Sequence, residues 1–279
     1  MIDKKNLQAN IDYHTALVEI YDESQPHFRK ENKEKVSQIL KRLSQRNSGR
    51  KLLDLGCGTG FIMELALPYF NEIYGVDITP AMLDEARKKF AKKKGRKIEL
   101  VESSTDKMPF KNSTFDVLTG YSFLHHLSSV LPTLKESYRV LKRGGIFYSD
   151  LDPNFYFWQA IKDLSKEKNV SDLMKADIRT VCNMTEDVSA MVKGLDSETV
   201  KNSEIIESKE GGFKEEEIIN LFRKAGFKKV DLVYHWFWQE GKVIKDFSPK
   251  VGTYFEDHLR LGLPATRHLF KYFRIEATK

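Results

Sequence analysis

Cysteine is scarce in this sequence, and its scarcity excludes two classes of protein. Cys57 and Cys182 are the only cysteines among 279 residues. Two are too few for a disulfide framework, and neither stands in a CxxC or histidine spacing typical of structural zinc. We therefore expect the chain to fold without a disulfide bond or a structural metal ion. We also expect it in the reducing environment of the cytoplasm.

Long apolar runs are missing as well. The opening residues, MIDKKNLQAN, lack the apolar stretch of a signal peptide, and no uncharged run approaches the ~18 residues that a membrane span requires. Hydrophobic residues nevertheless make up 41% of the chain and aromatic residues 11%, which excludes a disordered protein. We expect neither secretion nor insertion into a membrane.

The sequence also lacks a strong charge imbalance, since 46 Lys and Arg residues face 40 Asp and Glu residues, for a net charge of +6. The surplus is concentrated between Arg87 and Lys97, a run with eight basic residues and no acidic one. Such a run either binds nucleic acid or forms a solvated surface. Because it falls at the end of a predicted helix, on the sheet edge opposite the expected ligand, we favour the solvated surface.

Short apolar strands alternate with helices along most of the chain. A helical stripe over residues 31–46 is followed by a strand at residues 51–55, a glycine-rich turn and a helix over residues 61–70. Further strands are predicted at residues 72–76, 97–101, 115–119, 146–149, 228–237 and 272–278, and further helices at residues 80–93, 130–141 and 214–225. This alternation predicts a doubly wound α/β fold, with a parallel sheet covered by helices on both faces.

The glycine-rich turn is the segment Asp54-Leu55-Gly56-Cys57-Gly58-Thr59-Gly60. Its glycines allow the backbone to turn sharply and approach a ligand, while the following helix offers free N–H groups. A dinucleotide-binding turn would have a third glycine at the position of Phe61, and a P-loop would have a lysine near Gly60. Neither phosphate-binding motif is therefore present.

Two carboxylates follow the first two strands and indicate the kind of ligand. Asp54 lies beside the turn, where it would repel a pyrophosphate and attract a cationic amine. Asp77 ends the second strand, where a carboxylate can accept hydrogen bonds from both hydroxyls of a ribose. Together they indicate a positively charged nucleoside that has no phosphate.

Four blocks stand in order between residues 50 and 150: the glycine-rich turn, Gly75–Leu83, residues 108–117 and Leu141–Gly145. Together they resemble the class I S-adenosylmethionine-dependent methyltransferases of the methyltransferase type 11 family. The resemblance implies a Rossmann-like sheet of seven strands with the last strand antiparallel. It also implies S-adenosylmethionine as cofactor, with no metal expected, and S-adenosylhomocysteine as product.

The same resemblance implies roles for individual residues. The amino and carboxylate ends of the cofactor would lie over the glycine-rich turn, and Ile78 and Met82 would pack on the adenine, although both also suit an ordinary core. Ser104 stands where the family usually has an acidic residue, which Asp106 could partly replace. The residues predicted to bind the cofactor are Tyr21, Asp54, Gly56, Cys57, Gly58, Gly60, Asp77, Ile78, Met82, Ser104, Thr105 and Tyr121.

Catalytic residues are harder to assign, because methyl transfer from a sulfonium can proceed by alignment and exclusion of water alone. Tyr121, His126 and Asp152 follow the fourth and fifth strands and are candidates for orienting or deprotonating an acceptor. Packing explains the histidine more simply, and a turn explains Asp152 more simply. The sequence leaves the use of a general base open.

The resemblance and the interruptions of the pattern divide the chain into four parts. These are an N-terminal helical lid (1–48), a cofactor-binding core (49–151), a helical cap insertion (152–212) and a C-terminal completion of the core (213–279) with a second insertion at about 238–268. We expect transfer of a methyl group to a small-molecule acceptor. The alternatives are an RNA or tRNA methyltransferase and a non-catalytic scaffold with the same fold. The acceptor atom and the oligomeric state are left open.

Overall fold

A seven-stranded sheet runs through the protein in the order β3-β2-β1-β4-β5-β7-β6. The computed structural model describes residues 3–46, 50–93, 95–167, 169–172, 175–176, 178–179, 195–206 and 211–279. Cys182 and the predicted helix break at residues 48–49 lie outside these described residues. The strands are β1 Lys51–Leu55, β2 Glu72–Asp77, β3 Lys97–Glu102, β4 Phe115–Tyr121, β5 Leu141–Pro153, β6 Lys229–Phe237 and β7 Phe270–Thr278.

The direction of the strands confirms the predicted fold class. Strands β1 to β5 pair in parallel, whereas β7 pairs antiparallel with both β5 and β6. The strand order reverses between β1 and β4, and doubly wound sheets bind ligands at the carboxyl edge beside such a reversal. The topology therefore places the expected ligand site beyond the ends of β1, β2 and β4.

Helices cover both faces of this sheet and continue into the insertions. They are α1 Lys4–Leu17, α2 Tyr21–Ser24, α3 Lys30–Arg46, α4 Phe61–Ala66, α5 Pro80–Phe90, α6 Val130–Val140, α7 Phe155–Leu164, α8 Ser197–Ser203, α9 Glu215–Ala225, α10 Glu240–Asp246 and α11 Pro249–Leu261. Within the described residues, no helix combines the length and the apolar character needed to span a bilayer.

Several element boundaries differ from those predicted. Helix α4 ends at Ala66 and α5 at Phe90, earlier than the sequence pattern indicates. Phe90 is the last residue of α5 and is buried, and Ala91 is followed by three lysines and a glycine. Strand β5 is much longer than predicted, because Leu141 already pairs with Phe115 of β4 and Pro153 still pairs with β7.

The core consists of two main apolar clusters, one on each face of the sheet. Leu52 and Leu53 are neighbours in β1, yet Leu52 belongs to the cluster under α3, α4 and α5, whereas Leu53 belongs to the one under α6 and α9. This division follows from the alternation of side chains along a strand. Both faces are buried, which explains why the parallel strands are apolar almost throughout.

The aromatic residues that open the cap insertion hold α7 against the sheet. Phe157 is fully buried in a small cluster with Ile161, and Trp158 and Trp238 pack against it. The guanidinium of Arg267 lies 3.4 Å from the ring centroid of Tyr156. These contacts fix the start of the insertion on the C-terminal part of the chain.

Replacing Gly226 by alanine is expected to lower the free energy of unfolding by about 2 kcal/mol. Gly226 ends α9 with φ of 114°, and an added Cβ would lie 3.0 Å from the ring of Tyr138. Gly144→Ala is a matched control, since Gly144 has φ of 76° but no atom within 4 Å of an added Cβ. Urea denaturation should show the smaller loss for Gly144→Ala, and equal losses would contradict a contribution from Tyr138.

Candidate functional site

A cavity of about 400 Å³ opens at the carboxyl edge of the sheet, where the strand order reverses. Its wall is formed by the glycine-rich turn after β1, the end of β2, the loop after β3, the loop after β4 and one face of α1. The volume lies in the range typical of small-molecule sites. The structure therefore brings four separate segments of the predicted site to one place.

Most of the residues predicted to bind the cofactor line this cavity. The lining includes Tyr21, Gly56, Gly58, Asp77, Ile78, Ser104, Thr105 and Tyr121. Of the three candidates for catalysis, Tyr121 and His126 line it and Asp152 does not. The predicted residues outside the lining are Asp54, Cys57, Gly60 and Met82.

The glycine-rich turn is shaped for close approach of a ligand. Gly58 has φ of 51°, and a Cβ added there would meet no atom within 4 Å, so its backbone is open toward the cavity. A Cβ added at Gly56 would lie 2.3 Å from the ring of Phe123. Glycine is therefore required at Gly56 by packing, and at Gly58 by backbone conformation.

Asp77 connects the end of β2 to the glycine-rich turn. Its Oδ2 accepts a hydrogen bond of 2.8 Å from the Gly58 N–H, and its Oδ1 accepts one of 2.8 Å from the Thr79 N–H. Each carboxylate oxygen has two lone pairs, so both oxygens can accept a further bond from a ligand in the cavity. The carboxylate thus fixes the turn and remains available at the same time.

Asp54 lies behind the cavity wall. Its side chain is buried, and Oδ1 accepts a 2.7 Å hydrogen bond from the hydroxyl of Thr119 on the neighbouring strand. Burial raises the pKa of the Asp54 carboxyl to about 8, although the Thr119 hydroxyl opposes the rise. The carboxyl is therefore mostly protonated at neutral pH, whereas the sequence predicts a charged group facing the ligand.

The other three residues behind the wall have packing roles. A Cβ added at Gly75 would lie 2.7 Å from Sγ of Cys57, so this thiol fills the space that Gly75 leaves on β2, and burial raises its pKa. Gly60 precedes α4 and faces the ring of Phe90, and Met82 is fully buried on α5. The three residues thus pack in the interior and do not line the cavity.

Helix α1, part of the predicted N-terminal lid, supplies a wall of the cavity whose lining residues were not among the predicted site residues. Asn6, Asn10 and His14 are spaced four residues apart and therefore lie on one face of the helix. Both asparagines are buried, and both Nδ2 atoms donate to the main-chain oxygen of His126, over 3.0 Å and 3.1 Å. The signal in the sequence is a stripe of polar residues at helical spacing. The same stripe is typical of a solvent-exposed helix face, so it does not by itself indicate the wall of a cavity.

His14 and His126 meet inside this wall, with their ring centroids 5.0 Å apart. The pKa of His14 is lowered to about 4 and the pKa of His126 to about 3. In both cases burial is the main cause, and a neighbouring histidine contributes to the same shift. Both imidazoles are therefore neutral at pH 7.

Tyr21 reaches the cavity from α2, which is tethered to the glycine-rich turn. Thr59 Oγ1 donates a 2.5 Å hydrogen bond to Asp22, and Lys89 Nζ lies 2.6 Å from the other oxygen of the same carboxylate. Lys89 belongs to the basic run, so this part of the run reaches toward the ligand edge, contrary to the expectation from sequence. Burial raises the pKa of the Tyr21 hydroxyl and keeps it protonated.

The loop after β3 places a hydroxyl and a carboxylate together at the edge of the cavity. Ser104 Oγ donates a 2.5 Å hydrogen bond to Oδ1 of Asp106, and both residues line the cavity. The next hydroxyl, that of Thr105, bonds Thr133 at the start of α6 over 3.0 Å. A carboxylate is thus present at this edge of the cavity two residues after Ser104.

Asp152 and His125 form a buried pair behind the wall. His125 approaches Oδ1 of Asp152 with its main-chain N–H at 3.3 Å and with Nδ1 at 3.1 Å. In the described part of the chain, one group of three side chains has the spacing of metal ligands, namely His125, His126 and Glu204. Nδ1 of His126 already donates to the carbonyl of Ser203.

Comparison with known proteins gives a family match over the same part of the chain. Residues 53–149 match the family described as methyltransferase domain. The malonyl-[acyl-carrier protein] O-methyltransferase of Legionella pneumophila is 37% identical over 131 residues, which cover 46% of this chain and 45% of that protein. The ubiquinone biosynthesis O-methyltransferase of Aliivibrio fischeri is 32% identical over 108 residues, which cover 38% of this chain and 46% of that protein.

A solved structure extends the likeness of the fold to almost the whole chain. The [4+2]-cyclase SpnF superposes with a TM-score of 0.58 at 13% identity, covering 98% of this chain and 96% of that chain. This likeness concerns the fold alone. The chain spans less than half the length of the curated relatives it matches. The part matched by the family, residues 53–149, contains the glycine-rich turn and Asp77.

Proposed function

We propose that this chain, whose residues 53–149 match the methyltransferase domain family, is a class I enzyme that transfers a methyl group from S-adenosylmethionine to a small-molecule acceptor. The observation that carries the proposal is the glycine-rich turn bonded to Asp77 inside a cavity of about 400 Å³. A carboxylate beside an open backbone, without a phosphate-binding motif, suits a nucleoside whose tail carries an amine instead of phosphates.

The residues present fit such a cofactor. The open position beside Gly58 leaves space over the turn, and the two oxygens of Asp77 suit the ribose hydroxyls. Ile78 provides an apolar surface for the adenine, while Ser104 and Asp106 supply acceptors for its amino group. Bound there, S-adenosylmethionine supplies an activated methyl group on a good leaving group.

The charges of the cavity support a cationic ligand. Asp77 and Asp106 line it, and its lining within the described residues contains neither lysine nor arginine. A sulfonium and an ammonium therefore meet carboxylates and uncharged groups only, which favours their binding in a partly enclosed site. Asp54, Cys57, Gly60 and Met82 are proposed to support this site from behind rather than to contact the cofactor.

The N-terminal helices are proposed to act as the lid of the site. Tyr21 lies over the cavity on a segment tethered by Asp22, and α1 closes a second side with His14. Helix α8 of the cap insertion packs on α1, where Lys5 Nζ contacts Glu198 over 2.5 Å. A lid and a cap that exclude water would contribute alignment, which is the main requirement of an in-line displacement.

A nucleic-acid substrate is less well supported than a small molecule. Several cations of the basic run are paired locally, including Arg87 with Asp84, Lys88 with Glu85 and Lys89 with Asp22. Paired cations attract phosphates less than unpaired ones. A non-catalytic scaffold remains an alternative, because a fold does not fix a reaction, and it predicts that no labelled methyl group is transferred.

Isothermal titration calorimetry with S-adenosylmethionine tests the proposal directly. We expect a single site and competition by S-adenosylhomocysteine, since both share the ribose and adenine. Labelled S-adenosylmethionine should then transfer its methyl group to the metabolite fraction of a cell extract, rather than to the RNA or protein fraction. Absence of binding would refute the cofactor assignment, whereas binding with label only in RNA would refute the acceptor class.

A further inference from the structure

We propose that His14 and His126 form the acceptor subsite, and that the acceptor is an uncharged phenol or enol whose hydroxyl proton passes to Nε2 of His126. This inference rests on the proposed function, since it needs a methyl donor bound beside Asp77. It adds a proton acceptor and a chemical class of acceptor to that function. His14 was not among the residues predicted from sequence.

The hydrogen bonds determine which nitrogen of each ring carries a proton. Nδ1 of His14 lies 2.9 Å from the carbonyl oxygen of Asn10, and Nδ1 of His126 lies 3.0 Å from that of Ser203. A carbonyl oxygen accepts hydrogen bonds and does not donate them, so both Nδ1 atoms carry the hydrogen. In a neutral imidazole the other nitrogen, Nε2, then has a free lone pair, and both rings line the cavity.

Several hydrogen bonds fix the position of His126. Its main-chain N–H donates to Phe123, and its carbonyl oxygen accepts bonds from the amides of Asn6 and Asn10. Asn6 also accepts a 3.2 Å bond from the main-chain N–H of Ser128. Both asparagines therefore fix the main chain of His126, and Asn6 also donates to the main-chain oxygen of Asn202 on α8.

The charges around the pair narrow the class of acceptor. A phosphate or carboxylate on the acceptor would find no cationic partner, since the cavity lining has neither lysine nor arginine within the described residues. The two carboxylates of the lining, Asp77 and Asp106, are assigned to the cofactor, so a protonated amine beside the two neutral rings would have no anionic partner in the lining within the described residues. An uncharged hydroxyl donates to such a lone pair, and Leu7, Leu127 and Pro132 supply apolar lining for a ring beside it.

The acidity of the acceptor follows from the weakness of these imidazoles as bases. Burial disfavours the imidazolium form, so the ring gains a proton most readily from an acidic hydroxyl. A phenol has a pKa of about 10, several units below that of an alkyl alcohol. The pair is therefore suited to a phenol or enol and poorly suited to an alkyl alcohol.

The step balances without any further reactant. As the acceptor oxygen forms its bond to the methyl carbon, the O–H proton moves to Nε2 of His126. The C–S bond breaks and its electron pair stays on sulfur, which leaves a neutral thioether. The imidazolium then returns its proton to solvent when the products leave.

Two asparagine substitutions test the pair. In His126→Asn and His14→Asn the Nδ2 amide can keep the bond to the carbonyl that Nδ1 makes, while the lone pair of Nε2 is lost. We expect His126→Asn to lower the rate of methyl transfer to the labelled acceptor about 100-fold, with unchanged affinity for S-adenosylmethionine by calorimetry. The control is His258→Gln, an exposed histidine on α11. A loss below threefold in both asparagine variants would overturn the proposed proton acceptor.

Two further measurements do not depend on the rate. In ¹⁵N-histidine spectra of the protein with S-adenosylhomocysteine at pH 7, both rings should show the tautomer protonated on Nδ1, and a proton on Nε2 of His126 would overturn the inference. Chemical analysis of the labelled metabolite should give a methyl ether of an uncharged phenol or enol. A methylated amine, phosphate compound or carboxylate would refute this acceptor class while leaving the proposed function intact, and failure to bind S-adenosylmethionine would refute the proposed function itself.

Discussion

Asp77→Ala is expected to weaken the binding of S-adenosylmethionine by about 3 to 4 kcal/mol, which is a change in Kd of several hundred-fold. The wild-type carboxylate is available to both ribose hydroxyls, and hydrogen bonds to a charged group are the stronger kind. The same carboxylate accepts bonds from the N–H groups of Gly58 and Thr79. Alanine therefore removes the ligand contacts and also releases the turn over which the cofactor tail lies.

Asp84→Ala is the matched control for this measurement. Asp84 lies on α5, seven residues further along the chain, and its carboxylate is exposed and paired with Arg87. Calorimetry should show wild-type affinity for this variant. If Asp77→Ala bound the cofactor within threefold of the wild-type protein, the ribose would be held elsewhere and the proposed orientation of the cofactor would be wrong.

Lowering the pH from 6.5 to 4 is expected to remove about 3 kcal/mol of stability through His27 alone. His27 is buried among aromatic rings, with Phe28 and Phe61 at centroid distances of 4.8 Å and 5.0 Å, and burial lowers its pKa to about 4. Between these pH values the unfolded chain binds a proton at this residue and the folded protein does not. Stability therefore rises with pH through this range and is lost as the pH falls.

His27→Phe removes this titration and keeps an aromatic ring in the cluster. Denaturation should be measured for the variant and the wild-type protein at pH 6.5 and at pH 4. Relative to the wild-type protein, the variant should gain about 3 kcal/mol in free energy of unfolding between the first pH and the second. Asp54 cannot produce the same pH dependence. Its pKa is raised in the folded protein, so its contribution to the free energy of unfolding decreases as the pH rises from about 4 to 8. A difference independent of pH would show that His27 is charged in the folded protein.

The glycine-rich turn and Asp77 could be located from the sequence because their chemistry is local. A glycine is required where φ is positive or where a Cβ would clash, and a carboxylate that ends a parallel strand necessarily lies at the ligand edge. The place of Asp77 in the cavity lining follows from these rules. The strand alternation likewise predicts the sheet, because buried parallel strands are apolar on both faces.

The surroundings of Asp54, Met82 and α1 depend on contacts that are distant in the chain. A sequence places Asp54 next to the turn, but it does not show that the hydroxyl of Thr119 on the neighbouring strand bonds its carboxylate. Met82 satisfies the spacing for a ligand contact and for core packing equally, and the structure buries it. Asn6, Asn10 and His14 gain their place only because α1 folds back across the loop after β4, a contact more than a hundred residues distant in the chain.

The position of β7 has a consequence for how the protein is made. This strand, formed by residues 270–278, lies between β5 and β6 and pairs with both. During synthesis, β5 and β6 have therefore left the ribosome before the strand that separates them exists. Until then each has an unpaired edge that can bind strands of other chains. Expression at low temperature or with a chaperone should favour the folded protein over aggregates.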